Sequence, residues 1–150
     1  MDKHLSEIAK LKGVDVVLVG EPSGRILARI AASNLDYAPS ARVTSQTALL
    51  LASLYAVGRG VEEMDIGYSD VRLVARGLHG TALVVFCKPD VDVAMLRLTL
   101  NVVLARIKED KSIMDRFPGW ERILSNAVGD DIDQIHKTLL EASKGEVKHV

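Results

Sequence analysis

A lone cysteine, Cys87, leaves this chain unable to form an internal disulfide. That excludes the disulfide-framework class and suits a reducing compartment. Aromatic residues make up only 4% of the 150 residues, so the core must be built from Leu, Val, Ile and Ala. An excess of one charge is missing too. The net charge is -1, so there is no global basic field for nucleic acid to meet. No apolar run is long enough for a bilayer. The most apolar stretch, Ala48 to Val57, is broken by Ser53 and Tyr55 and is about half the ~18–20 residues a span needs. The start of the chain, Met1-Asp2-Lys3-His4-Leu5-Ser6-Glu7, is charged and lacks the apolar h-region of a signal peptide. These absences predict a cytoplasmic, soluble protein that binds neither nucleic acid nor membrane.

What is present suits one ordinary domain. Hydrophobic residues are 48% and charged residues 26% of the chain, enough to fill a core and cover it. Residues 2–12 predict a short helix, with Leu5, Ile8 and Leu11 at near-helical spacing and Gly13 at its end. Val14 to Val19 is a nearly continuous β-branched run, the pattern of a strand buried on both faces. Glu21-Pro22-Ser23-Gly24 is a turn, and Arg25 to Ile30 the return strand of a hairpin. Residues 31–41 read as a loop. A helix is expected from Ala41 to Val57, with Ser40 as N-cap and Gly58 as stop. It is apolar on two sides. Val43, Thr47, Leu50, Leu54 and Val57 form one face; Ala48, Leu51, Ala52 and Tyr55 form the other. Such a helix is usually sandwiched between two surfaces.

Glu62 to Tyr68 alternates, with Met64, Ile66 and Tyr68 on one side. Ser69-Asp70 is a tight connection to a second alternating strand, Val71 to Arg76. A turn over Gly77 to Gly80 leads into Thr81 to Cys87, a continuous apolar strand. Three strands joined by tight turns predict an antiparallel meander. Asp90 is placed to cap a helix from Val91 to Lys108. Its narrow polar stripe is Arg97, Asn101 and Lys108, and the rest is apolar enough to predict burial in a groove. Beyond it, Lys108 to Ser112 is charged and Phe117-Pro118-Gly119 breaks any helix. Trp120, Ile123, Leu124, Ala127 and Val128 predict an amphipathic helix. Asp130 or Asp131 would cap another, carrying Ile132, Ile135 and Leu139. Residues 144–150 are polar and expected to fray.

The search for catalytic chemistry is negative. There is no Gly-x-x-x-x-Gly-Lys-Ser/Thr phosphate loop. Gly20-Glu21-Pro22-Ser23-Gly24 joins two strands, and its proline removes an amide donor, so it reads as a hairpin turn and not as a phosphate cradle. His4, His79, His136 and His149 show no ligand spacing, and one cysteine makes no zinc set. Cys87 ends a buried strand and reads as a buried apolar residue. The Asp130, Asp131 and Asp133 cluster reads as helix capping. The expectation is no enzyme, no metal and no cofactor.

The order helix, hairpin, helix, three-strand meander, helix resembles the roadblock/LC7 domain. The segment Leu11-Lys12-Gly13-Val14-Asp15-Val16-Val17-Leu18-Val19 is similar to that family's opening. Pro22-Ser23-Gly24-Arg25-Ile26-Leu27-Ala28 resembles its first hairpin. Thr81-Ala82-Leu83-Val84-Val85-Phe86, then Pro89-Asp90 and a Leu-rich helix, resembles its close. The likeness spans residues 2–109 and leaves 110–150 as a helical C-terminal extension. It implies an α/β sandwich of roadblock/LC7 (profilin-like) type: a five-stranded antiparallel sheet with helices on both faces. It also implies homodimers paired through the third strand and the middle helix, here Leu51, Tyr55, Met64, Ile66 and Tyr68. Members of the family serve as subunits or regulators of small Ras-like GTPases, as dynein light chains, and as bacterial polarity regulators with GTPase-activating activity.

For this chain the resemblance implies a non-catalytic homodimeric module that binds or regulates a small Ras-like GTPase. The competing reading is a structural adaptor within a larger complex, without effect on nucleotide turnover. A third, a ligand-sensing domain of the related profilin-like type, would need a polar-lined pocket between sheet and helix. Partner-facing candidates are Arg25 and Arg29, Arg72 and Arg76, each pair at strand spacing i, i+4, and Trp120. An arginine donated to a bound GTPase would stabilise charge on the transferring phosphate. Trp120 would either pack on its own domain or anchor in a partner's groove.

Overall fold

The computed structural model describes residues 1–126 together with Lys137 and Leu140. The predicted helix with Ile132, Ile135 and Leu139, its acidic cap and the polar end at 144–150 lie outside the described residues.

Ten elements follow in chain order: α1 (Asp2–Ala9), β1 (Val14–Gly20), β2 (Ile26–Ala31), α2 (Tyr37–Ala56), β3 (Glu63–Gly67), β4 (Arg72–Leu78), β5 (Thr81–Cys87), α3 (Val93–Glu109), α4 (Lys111–Met114) and α5 (Trp120–Asn126). The five strands form one antiparallel sheet in the order β2-β1-β5-β4-β3. The two continuous apolar runs, β1 and β5, are neighbours near the centre. The alternating strand β3 is an edge, while β4, which alternates as well, is interior.

Each face of the sheet has its own core. On one, Val17, Val19, Val74, Leu83 and Val85 meet Leu5 and Ile8 of α1 and Leu96, Leu100, Val103 and Ile107 of α3. On the other, Val16, Leu18, Leu73, Ala75, Val84 and Phe86 meet Ala48 and Leu51 of α2. Both cores are aliphatic apart from Cys87 and a phenylalanine on each side, Phe117 and Phe86.

The turns obey local chemistry. Gly24, at φ +100°, donates its N–H to Glu21 O over 3.1 Å and closes the first hairpin. Strand β4 runs on to Leu78, past the expected end at Arg76, because the turn needs only two residues. These are His79 and Gly80, at φ +47° and +89°. Two left-handed residues match the twist of the flanking strands, and a glycine accepts that geometry without strain.

Several expected boundaries shift. Helix α1 stops at Ala9. Helix α2 begins at Tyr37, so the predicted loop over 31–41 ends at Asp36 and Ser40 is not its N-cap. Pro39 falls in the first turn, where its missing N–H is not needed. The Ser40 hydroxyl instead donates back to the Asp36 and Tyr37 carbonyls at 2.8 and 2.9 Å. Thr44, Thr47 and Ser53 bond in the same way to Ser40, Val43 and Leu49. These hydroxyls are satisfied within the helix, which lets them be buried without penalty. Asp92, not Asp90, caps α3, accepting from Met95 N–H at 3.1 Å.

The segment after α3 is a strap. Ile113 and Phe117 are buried in the core on the α1 and α3 side. Trp120 then packs against the α2-side core. The chain thus passes from one face of the sheet to the other beside the β4–β5 turn. The crossing is tight. Gly119 N–H donates to His79 O at 2.8 Å, and a Cβ on Gly80 would lie 2.7 Å from the Gly119 carbonyl carbon.

Candidate interaction site

Helix α2 lies over β5 and β1 and reaches β4 only marginally. The outer part of the sheet on this side is therefore a groove over β4 and β3. Register sets Met64 opposite Ala75 and Ile66 opposite Leu73, so both point into it. They are half-buried, while Tyr68 beyond them is 60% exposed. Among the described residues the outer edge of β3 pairs with no strand. At one end of the groove Tyr55, 44% exposed, stacks on Trp120 with ring centroids 6.0 Å apart and planes 24° apart. The Trp120 ring edge approaches the position of a Cβ on Gly77 to 3.3 Å. A cavity of about 420 Å³ opens beside the stack, lined by Tyr55, Glu62, Arg76, Leu104, Lys108 and Trp120 among others.

Four of the five expected interface residues, Tyr55, Met64, Ile66 and Tyr68, therefore border one surface. Leu51 does not belong with them on an outer face. It is 3% exposed and packs in this chain's own α2-side core. The sheet-facing stripe of α2 is Thr44, Thr47, Ala48 and Leu51, which cuts across both faces assigned from the sequence.

The arginines divide. On the opposite side of the sheet Arg72 and Arg76 share a face, as their spacing predicts, but both are committed internally. Arg72 makes a bidentate pair with Asp65 at 2.8 and 2.7 Å. Arg76 reaches Glu63 at 2.9 Å and Asn101 at 2.6 Å. Arg97 from α3 joins the same two carboxylates at 2.7 and 3.1 Å. The hydrogen bond from Arg72 holds the Asp65 carboxyl below the usual carboxylate range, with the charges of Arg72 and Arg97 adding to it against a partial cost of burial. This network clamps the edge strand to β4 and α3. A cross-strand reading would have found it, since Glu63 faces Arg76 directly across two strands joined by a short turn.

Arg25 and Arg29 do not share a strand face. Arg25 precedes β2, and the register of β1 with β2 shifts between Val19 and Gly20. A bulge of this kind interrupts the two-residue alternation. Both side chains are exposed, and the Arg29 guanidinium lies 5.3 Å from the centre of the Tyr37 ring.

Helix α3 is not enclosed in a groove. Leu96, Leu100, Val103, Leu104 and Ile107 are buried, whereas Met95, Leu98 and Val102 form an exposed stripe on its outer side, Leu98 at 59%. Cys87 is buried, and its thiol donates to the Arg72 carbonyl at 3.3 Å. Burial pushes its pKa up to about 11, outweighing the pull of Arg72, so it is a poor nucleophile. Among the described residues no three His, Cys, Asp or Glu side chains converge as metal ligands would, and no helix is long and apolar enough to cross a membrane.

Neither a protein-family model nor a curated protein sequence matches the chain. Solved structures do. A roadblock/LC7 domain from Streptomyces avermitilis superposes with a TM-score of 0.58 at 17% identity, over 73% of this chain and 95% of that one. The gliding protein MglB from Thermus thermophilus gives 0.58 at 15%, over 76% and 85%. MglC from Myxococcus xanthus gives 0.52 at 19%, over 73% and 97%. At these identities the likeness is one of fold, and the fold of this chain is that of the roadblock/LC7 domain.

Proposed function

We propose that this chain is a non-catalytic interaction module that pairs with itself and binds or regulates a small Ras-like GTPase. The observation that carries the self-pairing is the outer edge of β3, unpaired among the described residues and flanked by half-buried Met64 and Ile66 and exposed Tyr68. An open edge beside apolar side chains is a template for another strand. A second copy supplies the same edge and closes a two-fold contact. The GTPase part of the reading comes from what the roadblock/LC7 likeness implies, supported by neighbours described as MglB, one a gliding protein and one in a tetrameric arrangement. Fold alone does not assign a partner. Of the four arginines singled out in the sequence, Arg25 and Arg29 are accessible to an acidic partner surface, since Arg72 and Arg76 are held by carboxylates. A cytoplasmic setting fits the single buried thiol.

The test pairs sedimentation with capture. Full-length chain is expected to sediment as a dimer. Met64→Lys should give a folded monomer, because the new charge can remain in water only while the groove stays open. Leu51→Glu should instead unfold the chain, since its side chain lies in the core. A dimer unchanged by Met64→Lys removes the β3 assignment. Capture from native lysate, read by mass spectrometry, should recover a small GTPase. Recovery of larger complex subunits and no GTPase would transfer the function to the adaptor reading. One observation favours that second reading: the Met95, Leu98 and Val102 stripe on α3 adds a further apolar surface away from the groove.

A further inference from the structure

The strap is gripped unequally along its length. Upstream of Gly119, Ile113 and Phe117 are buried in the core, and Asp110 caps α4 by accepting from Ser112 and Ile113 N–H at 3.0 and 3.3 Å. At Pro118-Gly119 the chain turns, with Gly119 at φ +75° and bonded to the His79 carbonyl. Downstream the hold weakens. Trp120, Ile123 and Leu124 are only half-buried, and Glu121, Arg122 and Ser125 are exposed. A segment fixed on one side of a glycine and loosely held on the other can swing at that glycine without disturbing the core.

What the loose part covers is one end of the groove over β4. Trp120 touches Gly77 of β4 and Tyr55 of α2, and the cavity beside it leads to Glu62 at the start of the edge strand. A second copy approaching along β3 would need this same end of the groove.

We propose that α5 is an internal competitor for the self-pairing surface: Trp120 occupies the groove between α2 and β4 until a second copy of this chain displaces it. This rests on the self-pairing reading above. The occupant is a second copy for two reasons. The groove is continuous with the unpaired β3 edge, which an identical edge completes. The notch also carries both signs of charge, Glu62 and Lys108, beside an Arg76 already neutralised by Glu63, so it can face its own image across a two-fold axis without net like-charge repulsion.

The experiment measures dimer dissociation by sedimentation of the full-length chain, Trp120→Ala and Gly80→Ala, with folding of each checked by circular dichroism. Gly80→Ala pushes on the Gly119 backbone from the hairpin side and leaves the groove residues intact. Because Trp120 is the one tryptophan, its emission in the wild-type chain reports release directly. Both variants are expected to dimerise about tenfold more tightly than wild type, and wild-type emission should shift to longer wavelength as dimer forms. If Trp120→Ala fails to fold, Gly80→Ala and the emission decide. A folded variant that dimerises no more tightly than wild type overturns the proposal, and so does a wild-type dimer whose emission does not move. In both of those cases self-pairing itself stands. A wild-type chain and variants that stay monomeric at every concentration remove self-pairing and the proposal together.

Discussion

At the scale of single residues, charge placement separates what holds the domain from what it can offer. Arg72, Arg76 and Arg97 converge on Asp65 and Glu63 and lock the edge strand in place. They contribute order to β3 more than charge to a partner. The network has a pH signature. The folded-state pKa of Asp65 lies below its ordinary value of 3.8. Its stabilisation is therefore complete above that ordinary value and is lost as pH falls through the lowered folded value. Asp65→Asn should lower stability near neutral pH, with the gap to wild type closing in acid. Urea unfolding at about pH 7 and about pH 3 checks this. A gap that is constant with pH would mean the carboxylate charge is not what Arg72 stabilises.

At the scale of elements, helix ends and strand patterns differ in how plainly the sequence writes them. Strands β1 and β5 are legible as central because their apolar runs are continuous, whereas alternation alone does not separate the edge strand β3 from the interior strand β4. The sequence points to Asp90 as the cap of α3, two residues early, because the apolar run begins at Val91; the bond from Met95 N–H assigns the cap to Asp92. Asp92→Ala should cost about 1 kcal/mol, the usual worth of an N-cap, and Asp90→Ala close to nothing, both measured by chemical denaturation. The start of α2 is hidden because Asn34, Asp36 and Pro39 are turn formers in isolation, although proline fits a first helical turn. Leu51 is misplaced by pattern alone because α2 is apolar on two sides, and periodicity cannot say which side of such a helix meets the sheet. The face shared by Arg72 and Arg76 is legible, but the shift in register at Gly20 that separates Arg25 from Arg29 leaves no mark in composition.

At the scale of the whole molecule, the strap bears on where the domain ends. From the sequence, residues 110–150 form an extension beyond a unit closing at Glu109, because Ile113 and Phe117 are isolated in a charged stretch without periodicity. In the structure these two side chains complete the core beneath α3. Removing a single large buried apolar side chain costs about 2–5 kcal/mol, and a chain cut after Glu109 loses both while opening the space they filled. Such a chain should unfold at markedly lower urea, with a broadened transition if its core loosens. A chain cut after Asn126 keeps the plug and the Trp120 stack and is the control that isolates Ile113 and Phe117. Should the shorter chain match the full-length midpoint, Ile113 and Phe117 are surface attachments and the boundary returns to Glu109. The comparison also governs any binding experiment on the tail, since partner loss on cutting at Glu109 would report an unfolded core as readily as a missing contact.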